Sequence, residues 1–298
     1  MAYVVLFFVQ VLFSINYFTS KNVLKYIPPL TFSSWRFLIA GPLLILLAIL
    51  LKKHKTSITI AHRFMLLKLS LLGMAAAQGL FMLGLKRTTA NNAAVVLSLA
   101  PIITFIIALI TKQSTFSWKR LIGLFLSFGS IIILKLYDEF SFSSEQTLGD
   151  FLIFLCACFT GIYLNWSKRF FSSFPSILGS GLIFIISGMA LIPFVLFLDG
   201  TSFYATVPWN DFSLVGNALF TIIGATLVTY FLINWSLTKV SPEMVSLFIN
   251  LQGLLTSLWS FVFFDKALSW NFYAAVALNA FGMYLCLFSK KSPKRNSN

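Results

Sequence analysis

The sequence predicts an all-α integral membrane protein. Hydrophobic residues make up 58% of the chain and charged residues only 10%, and 34 of the 298 residues are phenylalanine. A soluble core could not bury so many apolar side chains. The apolar residues form long stretches of the length that crosses a hydrocarbon core of about 30 Å as a helix. These stretches do not alternate between apolar and polar residues, as the strands of a membrane barrel do.

Ten such stretches follow one another, and each is predicted to be a transmembrane helix. They cover residues 2–20, 31–51, 65–85, 92–111, 119–136, 150–167, 176–198, 212–234, 243–264 and 270–289. The first is expected to be a retained helix, because neither a basic segment nor a small-residue cleavage site accompanies it. Cys156, Cys158 and Cys286 lie within the stretches, where we expect small apolar side chains and not metal ligands.

The distribution of Lys and Arg predicts the orientation. With the N-terminus in the cytoplasm, most of the 22 basic residues fall in cytoplasmic segments, as the positive-inside tendency favours. Both termini are therefore expected in the cytoplasm, for a bacterial-type cell inner membrane. The basic residues are spread over short loops and form no single patch. The net charge of +14 thus indicates contact with membrane lipids and not with nucleic acid.

The two halves of the chain show a weak but ordered similarity. The offset between matching residues is 146 to 147 near the start of each half and 152 further on. Five helices are an odd number, so a second unit of five must cross the bilayer in the opposite sense. We therefore expect two inverted five-helix repeats, over residues 1–140 and 141–298. The matching pairs include Tyr17 with Tyr163, Lys21 with Lys168, Pro28 with Pro175, Ser98 with Asn250 and Thr104 with Thr256.

Several motifs resemble the EamA-type unit of the drug/metabolite transporter superfamily. They are a first helix that ends in Lys21, a proline pair that leads into Ser34-Trp35-Arg36-Phe37, and an alanine-rich segment followed by Leu97-Ser98-Leu99-Ala100-Pro101. The resemblance covers essentially the whole chain as two tandem units. It implies ten helices and alternating-access transport of small metabolites, often amino acid export.

The chain departs from the pattern of that family at two places. Such units often carry a glutamate near the end of the fourth helix, where this chain has Gln113 and Asp265. Ile183 stands in the second half where Arg36 would repeat. Arg36 is therefore an asymmetric feature.

Polar side chains inside the predicted helices are the candidate substrate-binding residues, because a polar group without a partner is costly in a membrane. Arg36 is the strongest candidate, since its planar fork suits a carboxylate or a phosphate. Pairing with carbonyls or closing an outer gate is the alternative for Arg36. Hydrogen bonding between helices is the alternative for the others. The other candidates are Gln10, Asn16, Tyr17, Gln78, Ser98, Tyr230, Asn250 and Gln252.

The residue types that are missing also bear on function. No Asp or Glu lies deep in a predicted helix, and His54 and His62 share one loop, so no proton relay is evident. The chain has no phosphate-binding glycine loop, metal-ligand cluster or nucleophile beside a base. We therefore expect a transporter and not an enzyme, with no cofactor and no metal.

The predicted substrate is a small amphipathic metabolite, an amino acid or a derivative of one, moved by facilitated diffusion or exchange. A nucleoside-like or S-adenosylmethionine-like solute could use the same aromatic and amide groups. A lipid-carrier flippase is a further alternative and would need a lateral polar groove. The sequence predicts no oligomeric state.

Overall fold

The computed structural model describes residues 1–53, 56–135, 144–200, 207–264 and 270–288. Regular structure in these ranges is entirely helical. The predicted repeat boundary at residue 140, together with His54 and Asp265, lies outside the described residues. The helices are α1 (Ala2–Val23), α2 (Pro29–Leu50), α3 (Ile60–Lys68), α4 (Ala77–Arg87), α5 (Ala90–Leu97), α6 (Ala100–Ile110), α7 (Trp118–Lys135), α8 (Ser144–Phe171), α9 (Ser176–Phe194), α10 (Phe212–Leu219), α11 (Thr229–Leu237), α12 (Pro242–Leu247), α13 (Asn250–Phe264) and α14 (Trp270–Leu287).

Within the described ranges, eight helical stretches are long and apolar enough to cross a membrane. Large apolar side chains such as Leu46, Phe154 and Phe197 are exposed on their outer faces, as a surface in contact with lipid tails requires. The prediction of a multi-pass α-helical membrane protein is confirmed. The eight stretches are Ala2–Val23, Pro29–Leu50, Ile60–Arg87, Asn92–Ile110, Ser144–Phe171, Ser176–Asp199, Phe212–Leu237 and Trp270–Leu287.

The predicted spans 119–136 and 243–264 are helical but are not among these eight. α7 occupies the first and carries three basic residues in its 18 residues. The second is divided into α12 and α13 by a turn at Phe248 and Ile249. A similar turn at Ser98 and Leu99 separates α5 from α6.

The helices continue past the ends of several apolar stretches. The predicted span 150–167 is part of α8, which runs from Ser144 to Phe171. Glu145 lies in its first turn, and Lys168 and Arg169 lie in its last turn. The helix dipole favours this arrangement of charge, so hydropathy alone underestimates the length of the helix.

Two long stretches contain internal π-helical segments. Leu69–Ala76 lies between α3 and α4, and Phe220–Val228 lies between α10 and α11. Such segments are rare and frequently occur at functional sites. Gln78 lies two residues after the first segment, and Tyr230 lies two residues after the second. The π-helical turns therefore set the direction of these two side chains.

Close helix approach depends on glycine at two interfaces. A Cβ atom on Gly123 of α7 would lie 2.6 Å from the carbonyl oxygen of Gly282 of α14. On α2, a Cβ atom on Gly41 would lie 3.0 Å from the carbonyl oxygen of Gly181 of α9. Small residues allow helices in membranes to pack at this distance.

The N-terminus of α2 is capped by a residue distant in sequence. Its own N-cap residue, Pro28, makes no side-chain capping bond. The carboxylate of Asp199 instead accepts hydrogen bonds from the Thr31 backbone N at 2.6 Å and from Thr31 Oγ1 at 2.8 Å. Asp199 thus serves as the cap of α2 and ties the end of the α9 stretch to it.

Replacing Asp199 with Ala should lower the stability of the protein. Loss of a helix cap costs about 0.5–2 kcal/mol, so the midpoint of thermal unfolding in detergent should fall. Lys53→Ala, which removes an exposed charge outside the helices, is the control and should leave the midpoint nearly unchanged. Equal midpoints for Asp199→Ala and the wild type would contradict the capping role.

Candidate functional site

A cavity of about 80 Å³ lies between α1, α4, α8, α11 and the turn that separates α12 from α13. That volume holds several water molecules and is below the roughly 300 Å³ at which ligand pockets usually begin. The lining of the cavity consists of Gln10, Phe13, Asn16, Tyr17, Gly73, Gln78, Phe81, Leu97, Cys156, Thr160, Tyr163, Leu164, Tyr230, Ile233, Val245, Ile249 and Gln252.

Most of the residues singled out in the sequence meet at this cavity. Arg36 does not line it but contacts it through Gln78. Ser98 and Asn250 are elsewhere: Ser98 Oγ donates to the Val95 carbonyl at 2.5 Å, and Asn250 Nδ2 donates to Ser127 Oγ at 3.0 Å. Those that line the cavity are Gln10, Asn16, Tyr17, Gln78, Tyr230 and Gln252.

Arg36 is a buried cation with incomplete hydrogen bonding. The residue is only 1% exposed, and its Nη2 donates to Gln78 Oε1 at 3.2 Å. Its Nε and Nη1 are buried and have no hydrogen-bond partner. Among the described residues the guanidinium forms no ion pair. A buried charge that lacks partners is strongly unfavourable, so this group is suited to receive an acceptor.

Tyr17 presents a second unsatisfied polar group at the cavity. Its hydroxyl is buried and has no hydrogen-bond partner, and its ring packs edge-on against Phe81 at 5.8 Å. A tyrosine hydroxyl can donate or accept. Tyr17 can therefore contribute one hydrogen bond to a bound solute from α1.

Glutamine side chains join α1 to α13 beside the cavity. Gln252 Nε2 donates to Gln10 Oε1 at 2.7 Å, and both residues line the cavity. Further along the same two helices, Trp259 Nε1 donates to Ser14 Oγ at 2.8 Å. The amide pair leaves the other donor and acceptor groups of both side chains available for further bonds.

An aromatic wall completes the cavity. The Tyr230 ring meets Phe13 edge-on at 5.7 Å and Tyr163 at 6.5 Å. Tyr163 OH donates to Asn234 Oδ1 at 2.9 Å, which fixes its orientation. The candidates chosen from the sequence did not include Tyr163 or Phe13. The match of Tyr163 with Tyr17 at an offset of 146 is the signal that could have identified Tyr163.

None of the described carboxylates lines the cavity. Glu243 pairs with Arg120 at 3.0 Å, and Asp150 accepts hydrogen bonds from Thr88 Oγ1 and from Asn92 Nδ2. The charge beside the cavity is therefore the positive charge of Arg36. The described part of the chain contains no cluster of His, Cys, Asp and Glu that could hold a metal ion.

Comparison with known proteins shows which family contains this chain. The model of the EamA-like transporter family matches residues 1–136 and 147–288. The uncharacterized transporter YyaM of Bacillus subtilis is 24% identical over 246 residues, which cover 81% of this chain and 79% of that protein. An uncharacterized transporter of Archaeoglobus fulgidus is 24% identical over 242 residues, 81% of each chain.

Two further similarities extend to a plant and to a solved fold. The WAT1-related protein At3g18200 of Arabidopsis thaliana is 24% identical over 273 residues, which cover 82% of this chain and 70% of that protein. A solved crystal structure of a protein aligns with a TM-score of 0.76 at 16% identity over 95% of both chains, which shows a shared fold. The buried polar cavity within apolar helices and the family match agree: the chain is a membrane transporter that belongs to the EamA-like transporter family.

Proposed function

We propose that the protein moves a small amphipathic solute with a carboxylate group, an amino acid or a derivative of one, by alternating access. The observation that carries this proposal is the buried guanidinium of Arg36, whose Nε and Nη1 have no partner. A carboxylate supplies two acceptor oxygens and the opposite charge, and it can bind the planar fork of arginine in a bidentate manner. It would therefore satisfy what Arg36 lacks.

The rest of the cavity suits the remainder of such a solute. Five aromatic residues offer apolar contact, and their faces attract a cation. The amides of Gln10, Asn16 and Gln252 offer carbonyl oxygens to an ammonium group. Binding of an amino acid therefore requires no acidic side chain at the cavity. The aromatic residues are Phe13, Tyr17, Phe81, Tyr163 and Tyr230.

We propose that the chain is built of ten transmembrane helices as two inverted units, over residues 1–140 and 141–298. Features that recur at offsets of 150 to 152 support this architecture. They include the π-helical segments Leu69–Ala76 and Phe220–Val228 and the turns at 98–99 and 248–249. Discontinuous helices commonly form the substrate site of transporters with inverted repeats.

Two lysine contacts also recur between the proposed units. Lys21 Nζ donates to the Thr88 carbonyl at 2.6 Å, and Lys168 Nζ donates to the Val240 carbonyl at 3.1 Å. Each lysine thus binds the turn that follows the third helix of its own unit. In an inverted arrangement these contacts lie at opposite ends of the bundle and would loosen in alternation during transport.

We propose that transport occurs by facilitated diffusion or exchange. No acidic residue that could carry a coupling proton is among those that line the cavity. Transport, and not catalysis, also fits relatives that are named as transporters.

Uptake into proteoliposomes should identify the solute. The panel holds the twenty amino acids, nucleosides and S-adenosylmethionine. Arg36→Ala should reduce uptake of the carboxylate-bearing substrate by about 10- to 100-fold, the value of a lost hydrogen bond to a charged group. Arg36→Lys should retain more activity because it keeps the charge. The exposed Arg63→Ala is the matched control. Unchanged uptake by a folded Arg36→Ala variant would exclude Arg36 from the site.

A single cysteine should report whether the glutamine face of α13 is wetted. In a background without Cys156, Cys158 and Cys286, a cysteine at Gln252 should react with a water-soluble thiol reagent, and transported substrate should slow the reaction. A cysteine at Asn250, which faces Ser127 on α7, should react much more slowly. Equal rates at the two positions would argue against the cavity as the transport pathway.

The proposed location is the cell inner membrane with both termini in the cytoplasm, because basic residues concentrate on that side. Reporter tags at either end should therefore both give a cytoplasmic signal. A periplasmic signal from one end would contradict an even number of spans.

A further inference from the structure

Gln78 separates Arg36 from the cavity. The side chain of Gln78 lines the cavity, whereas Arg36 does not and is only 1% exposed. Among the described residues, the guanidinium has one hydrogen bond, which Nη2 donates to Gln78 Oε1 at 3.2 Å. A solute that enters the cavity therefore meets the amide before it meets the charge.

We propose that Gln78 is a specificity-determining residue whose amide oxygen occupies the position beside Arg36 that a substrate carboxylate would take. This inference rests on the proposed function, since it requires an anionic group on the solute. A substrate binds Arg36 by displacing Gln78 Oε1. A solute with a negatively charged group can therefore displace Gln78 and reach Arg36, whereas a neutral solute cannot.

The two acceptors differ enough for such a displacement. The amide oxygen of Gln78 is neutral and forms one bond at 3.2 Å, which is long for a bond from a charged donor. A carboxylate brings a full negative charge and two oxygens and can also satisfy Nε or Nη1. A neutral solute brings no comparable gain, because it exchanges one neutral acceptor for another.

The fold holds Gln78 in this place. The π-helical segment before it, Leu69–Ala76, contains Gly73, where a Cβ atom would lie 2.5 Å from Tyr163 Cδ2. The segment is thus packed directly against α8, and α4 begins immediately after it. Gln78, in the first turn of α4, cannot move away from Arg36 as part of a loosely held loop, so displacement involves its side chain.

The second half of the chain lacks both members of this pair. Tyr230 stands 152 residues after Gln78, and the buried Ile183 stands 147 residues after Arg36. The charge and the amide that shields it are therefore present together in the first half and absent together from the second. This is the pattern expected if Gln78 acts on Arg36.

Charge selectivity tests the role of Gln78. The probes are the amino acid that the wild type transports best and its carboxamide, which replaces the carboxylate with a neutral amide of similar size. The wild type should favour the amino acid at least tenfold in kcat/KM. Gln78→Glu places a permanent carboxylate beside Arg36 and should reduce that preference to about onefold by lowering kcat/KM for the amino acid to the value for the carboxamide. Gln113→Glu adds the same carboxylate outside the cavity and should keep the wild-type preference.

Gln78→Ala separates displacement from simple support of Arg36. Removal of the competing oxygen should lower KM for the amino acid, because the solute no longer displaces a bond. A raised KM for the amino acid in Gln78→Ala would overturn the inference, and so would a wild-type preference in Gln78→Glu. In either case, uptake of amino acids by the wild type would still support the proposed function. A wild type that transports no carboxylate-bearing solute would overturn the proposed function, and the inference with it.

Thermal unfolding guards against a trivial result. Gln78→Glu should unfold at or above the wild-type temperature, because it supplies an ion-pair partner to a buried cation. Loss of uptake together with a large fall in that temperature would indicate a structural role for Gln78 and would count against the inference.

Discussion

A guanidinium buried among apolar helices is the constraint on which the site depends. Arg36 is only 1% exposed and has a single neutral hydrogen-bond partner, although the transfer of such a group into a membrane interior costs several kcal/mol. An anionic solute would supply the acceptors that Arg36 Nε and Nη1 lack, and the free energy gained would favour such a solute over a neutral one.

Residues from several helices form a cavity beside Arg36. The π-helical turns direct Gln78 and Tyr230 toward one cavity, and the turn between α12 and α13 brings Gln252 to it from another side. The cavity of about 80 Å³ is smaller than most ligand pockets. The Gln10 to Gln252 hydrogen bond joins α1 to α13 beside it, so this bond would have to open if the two helices parted during alternating access.

Composition and hydropathy predicted the helices and the buried arginine, because both follow from the cost of transfer into a membrane. They could not predict the interruptions. Asn250 and Gln252 were both candidates in the ninth predicted span, but the helix begins anew at Asn250 after the turn. Asn250 consequently faces Ser127, whereas Gln252 faces the cavity.

The two halves of the chain differ at Arg36 and Gln78, and this difference bears on function as much as their similarity does. Within the proposed two-unit architecture, similar halves supply similar turns, π-helical segments and lysine contacts, which suits two alternating states of nearly equal energy. A fully symmetric cavity would have no preferred direction for a polar solute. Arg36 and Gln78 give the first half a charge and an amide at positions where the second half has Ile183 and Tyr230. An amphipathic solute would therefore keep one orientation while the helices move around it.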